Sequence, residues 1–287
     1  MRLSSLAWGP VIYREISTQE WFRYAQKIGL DGVELVDSWM NSDATLLRKA
    51  CGDLSEISRK VFDPKVVDRI KTELAQFDHS VSMLTVHNKY LRITHQDQRD
   101  EVDRLRMCMD VAEKFGTNRL NTYLGDTPAD LEGVSREDAV KACIDTIWQC
   151  VEVVQERGFY LLLENHPGLS ADDKGYAAVL SGVDSPHLGA NLDCKNTRKA
   201  GQDPTEFLER EEIICRLMCL HVDNYLDTPE GWNRSVSVDE GDVNIAAVLR
   251  KIKQYGYDGW LSIEYGGLGI KKVGRSAAFI RQVWEET

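Results

Sequence analysis

No run of apolar residues in this chain approaches the roughly 20 that a membrane-crossing helix needs, and the apolar part of Met1 to Pro10 is too short for a secretory signal. The expected compartment is therefore the cytosol. Basic residues are outnumbered: 35 Lys and Arg stand against 46 Asp and Glu, a net charge of -11. That balance excludes broad binding to nucleic acid or to an anionic membrane, both of which need basic surface. Histidine is scarce at six residues, too few for a zinc cluster of the endonuclease kind. Paired cysteine motifs are absent as well. The seven cysteines lie in apolar patterns, and the Cys215/Cys219 spacing lacks a second pair, so reduced structural thiols are expected rather than a zinc knot or a disulfide framework. No G-x-G-x-x-G follows the first strand, which argues against a dinucleotide-binding sheet. No low-complexity linker divides the chain, so one domain over 1–287 is expected.

What the sequence does contain is regular alternation. Strands are expected at Leu3 to Trp8, Gly32 to Val36, Val81 to His87, Arg119 to Tyr123, Phe159 to Glu164, Leu188 to Asp193, Ile214 to Val222 and Asp258 to Glu264. Helical patterns separate them. Ser17 with Glu20 reads as a capping box, Asp63-Pro64 opens a helix with Val67, Ile70, Leu74 and Phe77 on one face, and Gly29, Gly116 and Gly158 stop helices. A short helix is expected from Tyr176 to Leu180. An irregular polar insertion, about 38–62, follows the second strand and has room for a short helix around Ala44 to Ala50. Eight strands alternating with eight helices is the count of a closed α/β barrel, the (β/α)8 TIM barrel.

Four of the strands end on metal-binding side chains: Glu164, Asp193, His221 and Glu264 close the fifth to eighth strands. In a barrel those ends converge at one rim, where active sites lie. Three carboxylates and one imidazole favour an oxygen-preferring divalent metal, Mn²⁺ above Mg²⁺ or Co²⁺, and are compatible with Zn²⁺. An acidic residue after a strand also caps the next helix, which is an equal reading for any one of the four and a poor one for all four together.

The segments Leu161-Leu162-Leu163-Glu164-Asn165-His166, Asn191-Leu192-Asp193, Leu220-His221-Val222-Asp223 and Leu261-Ser262-Ile263-Glu264 resemble the metal-site motifs of the xylose isomerase-like TIM-barrel superfamily, the sugar phosphate isomerase/epimerase group. Gly29-Leu30-Asp31-Gly32-Val33-Glu34 and Glu240-Gly241-Asp242-Val243-Asn244 extend the resemblance over nearly the whole chain. It implies a divalent metal held by Glu164, Asp193, His221 and Glu264. It also implies Glu164 and Glu264 as catalytic proton carriers, working through an enediolate beside a metal-bound carbonyl of a sugar or keto-polyol. The expected partner is thus a small carbohydrate, with a homo-oligomer compatible with exposed barrel helices. Two positions depart from the pattern: where the ketose 3-epimerases of the group carry a substrate-holding His and Arg, this chain has Asn196 and Asp227.

His166, two residues past Glu164, suggests a second chemistry if it shares that face of the strand. An imidazole there could drive elimination, and the resemblance includes inosose and dehydroshikimate dehydratases and C-glycoside-cleaving enzymes. The contrary reading turns the ring away toward a loop carbonyl. His87, Trp8 and Asn196 are further substrate-binding candidates, and Trp39, Tyr90 and Trp232 could stack on a sugar but fit packing better. Asn165 and Lys195 adjoin ligands, yet strand alternation points them away from the metal. Arg234 could reach an anion from its loop. An endonuclease and a non-catalytic barrel are the remote alternatives.

Overall fold

The structure, a computed structural model, describes residues 1–40, 62–92, 94–125, 130–227 and 234–287. The expected helix at Ala44 to Ala50, most of the 38–62 insertion, and Trp232 lie outside the described residues. Eight parallel strands form a nearly closed barrel: β1 (Arg2–Leu6), β2 (Gly32–Val36), β3 (Ser80–Thr85), β4 (Arg119–Tyr123), β5 (Tyr160–Glu164), β6 (Leu188–Asp193), β7 (Leu217–His221) and β8 (Trp260–Glu264). From β2 to β8 each strand pairs with its sequence neighbour, and β8 returns to pair with β1, which leaves the sheet open between β1 and β2. At the β1/β2 seam, Asp31 N donates to the Leu3 carbonyl at 2.9 Å, and Leu3 N donates to the Asp31 carboxylate at 2.8 Å.

The strands are apolar because they are covered on both sides. One large cluster packs their outer faces against the helices, and a smaller one, Met83, Leu162, Cys219 and Trp260, contributes to the barrel interior. Period-two alternation then sets what stands above that small cluster: Thr85, Glu164, His221 and Ser262, each two residues further along the same strands. Register fixes their heights. Tyr123 pairs with Glu164, Glu164 with Asn191, Asp193 with His221, and His221 with Ser262.

Several expected boundaries shift. The first strand stops at Leu6, and Trp8 opens a helical turn, Trp8–Ile12, rather than ending the strand. β5 begins at Tyr160. The helix expected at Tyr176 to Leu180 runs Asp173–Val183, because Asp172 accepts from Gly175 N and starts it earlier. A helix, Cys194–Lys199, begins immediately after β6. The Gly241 motif also finds its reason: Asn224, just past β7, donates to the carbonyls of Val238 and Val243 at 2.8 and 2.9 Å. A Cβ on Gly241 would meet Asn224 Oδ1 at 2.1 Å. Among the described residues, no helix is long and apolar enough to cross a membrane.

Candidate metal centre

A polar layer lies inside the barrel above the apolar one. Its centre is Glu34 of β2, fully buried, whose carboxylate accepts from Thr85 Oγ1 and Ser262 Oγ, both at 2.5 Å. His221 Nε2 faces both oxygens of Glu34, at 3.2 and 3.1 Å. An ionised carboxylate only accepts, so Nε2 carries a hydrogen; burial opposes a charge on the ring, but Glu34 and Glu164 outweigh it and raise its basicity well above the ordinary value. Asn121 of β4 donates to Thr85 Oγ1 at 3.1 Å and to Glu164 Oε2 at 2.7 Å, and accepts from Asn191 at 2.9 Å. Side chains from five other strands thus hold Glu164 and His221 in fixed orientations.

Above this layer the four strand ends meet. One ligand atom each from Glu164, Asp193, His221 and Glu264 can be chosen so that all four lie within 4.8 Å of one another. His221 Nδ1 lies 3.4 Å from Glu164 Oε2 and 3.8 Å from Glu264 Oε2, turned toward both carboxylates. Asp193 divides its roles. Oδ1 accepts from Asn196 N at 2.5 Å and caps the helix that follows, whereas Oδ2 is buried with no hydrogen-bond partner, as is His221 Nδ1. Buried polar atoms left without partners at the convergence of three carboxylates are costly, and a cation that takes the place of the ring proton would satisfy both. The donor set therefore fits a divalent metal held by these four residues.

The electrostatics fit as well. Burial and the neighbouring Asp223 charge push the Asp193 carboxyl well above the usual carboxylate range. Burial acts in the same direction on Glu264, but Lys195 and His221 outweigh it and lower that group to about 2. Lys195 corrects a sequence expectation. Lying two residues past Asp193, it stays on the ligand side even by strand alternation; the chain turns helical at Cys194, and its ammonium pairs with Asp223 and lies 3.6 Å from Glu264 Oε2. Burial opposes its charge, and Asp223 and Glu264 more than restore it. Asn165 does point away. Its amide accepts from Asp193 N at 2.6 Å and donates to Asp193 O at 3.1 Å, clamping the end of β6.

His166 turns its ring onto Tyr123, with centroids 4.4 Å apart and planes at 23°. Burial lowers its basicity, with Glu164 and Glu264 acting against that. Among the described residues no loop carbonyl takes its ring, and Ser170 engages only its backbone. His87 meets the other side of the same wall, edge-on to Tyr123 at 5.7 Å. Asn196 has its amide committed to the Asn165 carbonyl at 3.2 Å and is 7% exposed. Trp8 lies against Gly266 and 6.2 Å from the Tyr13 ring, in the loop after β1. Tyr90 and Trp39 are buried packing residues. Glu34, Asn121 and Asn191 were missed as site residues; each was visible only as a polar residue inside an apolar strand.

Residues 22–283 match the family described as xylose isomerase-like TIM barrel. The chain belongs to that family. An uncharacterized protein of Methanocaldococcus jannaschii, MJ1311, is 31% identical over 123 residues, which is 42% of this chain and 41% of that protein. The chain thus spans less than half the length of that relative. Among solved structures, a D-tagatose 3-epimerase-like protein superposes with a TM-score of 0.72 at 18% identity, covering 100% of this chain and 96% of that one. The probable 3-DHS dehydratase AsbF of Bacillus anthracis gives 0.71 at 19% identity, covering 98% and 99%. At such identities the likeness establishes the fold, and members of the family with that fold are mostly enzymes.

Proposed function

We propose that this protein is a divalent-metal-dependent isomerase or epimerase that moves a proton at the carbon beside a carbonyl of a sugar or keto-polyol. One observation carries the reading: four potential ligand atoms from four consecutive strands gather within 4.8 Å, and two of those side chains carry a buried polar atom with no hydrogen-bond partner. The oxygen-rich set favours Mn²⁺, with Mg²⁺, Co²⁺ and Zn²⁺ able to use the same donors. When bound, such an ion polarises a substrate carbonyl and makes the adjacent C–H acidic enough for a carboxylate to remove its proton.

The protein's own residues supply what remains. Glu164 and Glu264 enter from β5 and β8, separated by β6 and β7, so they reach a shared substrate from different directions. Removal by one and return by the other inverts a carbon centre; return to the neighbouring carbon interconverts aldose and ketose. Asn121 holds the Glu164 carboxylate at 2.7 Å, and Lys195 stands beside Glu264. The Asp193 cap and the Asn165 clamp keep the third ligand from turning.

A second reading, a lyase of the same fold, is favoured by one observation. His166 lies on the Tyr123 wall, two residues past Glu164, where an imidazole can take a proton whose loss expels a β-substituent. The structural neighbours named above include both an epimerase-like protein and a probable dehydratase.

Incubating the Mn²⁺-loaded protein in deuterated water with keto sugars and inososes tests the choice. Deuterium is expected at the carbon beside the carbonyl. Exchange should fall by about 100-fold or more in Glu264→Gln, the loss expected for a positioned acid–base group. Undiminished exchange in that variant would refute the assignment. Products of unchanged skeleton mass mark the isomerase or epimerase. Loss of water or an aglycone, abolished in His166→Gln, marks the lyase.

A further inference from the structure

Asp37, one residue past β2, has a side chain with no exposed surface, and it is spent wholly on one neighbour. Its Oδ1 takes His87 Nδ1 at 2.6 Å and its Oδ2 takes His87 N at 2.9 Å. Arg104, buried in the helix His95–Lys114, donates to Oδ2 at 2.7 Å and through Nε to the His87 carbonyl at 2.9 Å. A buried ion pair is a weak device for stability, because desolvation offsets most of the attraction. This one grips a single residue by its ring, its amide and its carbonyl.

The grip sets the ring's chemistry. The charged Asp37 can only accept, so Nδ1 carries the hydrogen and Nε2 is a bare acceptor on the opposite edge. His87 stands two residues beyond Thr85, on the strand face that lines the barrel interior. Its side chain is 15% exposed, and Nε2 has no hydrogen-bond partner among the described residues. Two ring contacts, 5.7 Å to Tyr123 and 4.4 Å onward to His166, separate it from the Glu164 strand end.

We propose that His87 is the distal substrate-binding residue: Nε2 accepts a hydrogen bond from a free hydroxyl at the end of the substrate remote from the metal ligands, with Asp37 and Arg104 as its positioning residues. The substrate class that follows is an uncharged keto-polyol with an unmodified hydroxyl there. A phosphate or carboxylate at that end would present acceptors to an acceptor. This supplies the hydroxyl recognition missing at Asn196, whose amide is already committed, and it rests on the proton-transfer reading for the orientation of the substrate.

The test uses the full-length, ¹⁵N-labelled, Mg²⁺-loaded protein and two probes, scyllo-inosose and D-fructose. Long-range ¹H–¹⁵N spectra are expected to show His87 with hydrogen on Nδ1 only, and at least one probe should move the Nε2 signal. Binding of that probe should weaken about tenfold in His87→Phe, the size of one lost hydrogen bond. It should recover to within about threefold in His87→Gln, whose amide can still accept. Hydrogen on Nε2 in the wild type, an Nε2 signal moved by neither probe, or full affinity in His87→Phe would each overturn the proposal. Failure of the proton-transfer reading looks different: a probe that moves Nε2 and binds more weakly in His87→Phe, yet never exchanges its C–H in deuterated water.

Discussion

Glu34 has as much leverage over the centre as a ligand, although none of its atoms belongs to the ligand set. It accepts from His221 Nε2 and ties β2, β3, β7 and β8 together through three partners. In Glu34→Gln the amide can keep one acceptor but turns an N–H₂ toward hydroxyl and imidazole donors. Mn²⁺ affinity should fall about 10- to 100-fold, as for other outer partners of a ligating histidine. Titration of Mn²⁺ into the purified variant measures this, and an unchanged affinity would remove Glu34 from the account. The four candidate ligands were legible as a set in the sequence because each ends an apolar run, and the barrel brings them together. Glu34 was not, since its partner His221 is 187 positions away and no local spacing reports the contact. Lys195 was misplaced for a different reason: two residues past Asp193, it belongs on the ligand side even by alternation, and the helix that begins at Cys194 carries its ammonium to Asp223.

Among the elements, strands were easier to read than helices. A barrel strand is buried on both sides and shows as an apolar run, whereas a short helix is set by a cap whose hydrogen bond needs three-dimensional context. The Ser17/Glu20 capping box was readable because both members lie within one turn, and the structure shows both of its bonds. Ser17→Ala should destabilise the protein by about 1 kcal/mol, seen as a lower urea midpoint with an unchanged slope. An unaltered midpoint would mean that the helix Thr18–Lys27 is held by packing alone. Asp193 escaped the same reading because one carboxylate serves two purposes there, and sequence reasoning treated cap and ligand as alternatives. The two-residue strands Tyr225–Leu226 and Arg234–Ser235, paired antiparallel, carry no pattern long enough to recognise.

On the scale of the whole molecule, the barrel encloses groups that cannot ionise where they sit, and pH reveals that enclosure. Burial holds the phenols of Tyr90 and Tyr176, both 0% exposed, well above the ordinary tyrosine value. An unfolded tyrosine loses its proton near pH 10. Above that the unfolded chain binds fewer protons than the native one, so stability is full below about pH 10 and declines as pH rises past it. Tyrosinate absorbance followed during urea unfolding at pH 8 and pH 11 should show a lower midpoint at the higher pH, with these two phenols ionising only on unfolding. Enclosure also gives the metal centre its meaning, since four strand ends far apart in sequence become one set of donors only when the barrel is formed. Equilibrium dialysis against Mn²⁺ tests that claim most directly. The account predicts one ion bound per wild-type chain and none retained by the folded Asp193→Asn, His221→Ala double variant; equal binding by the two proteins, or none by the wild type, would contradict it.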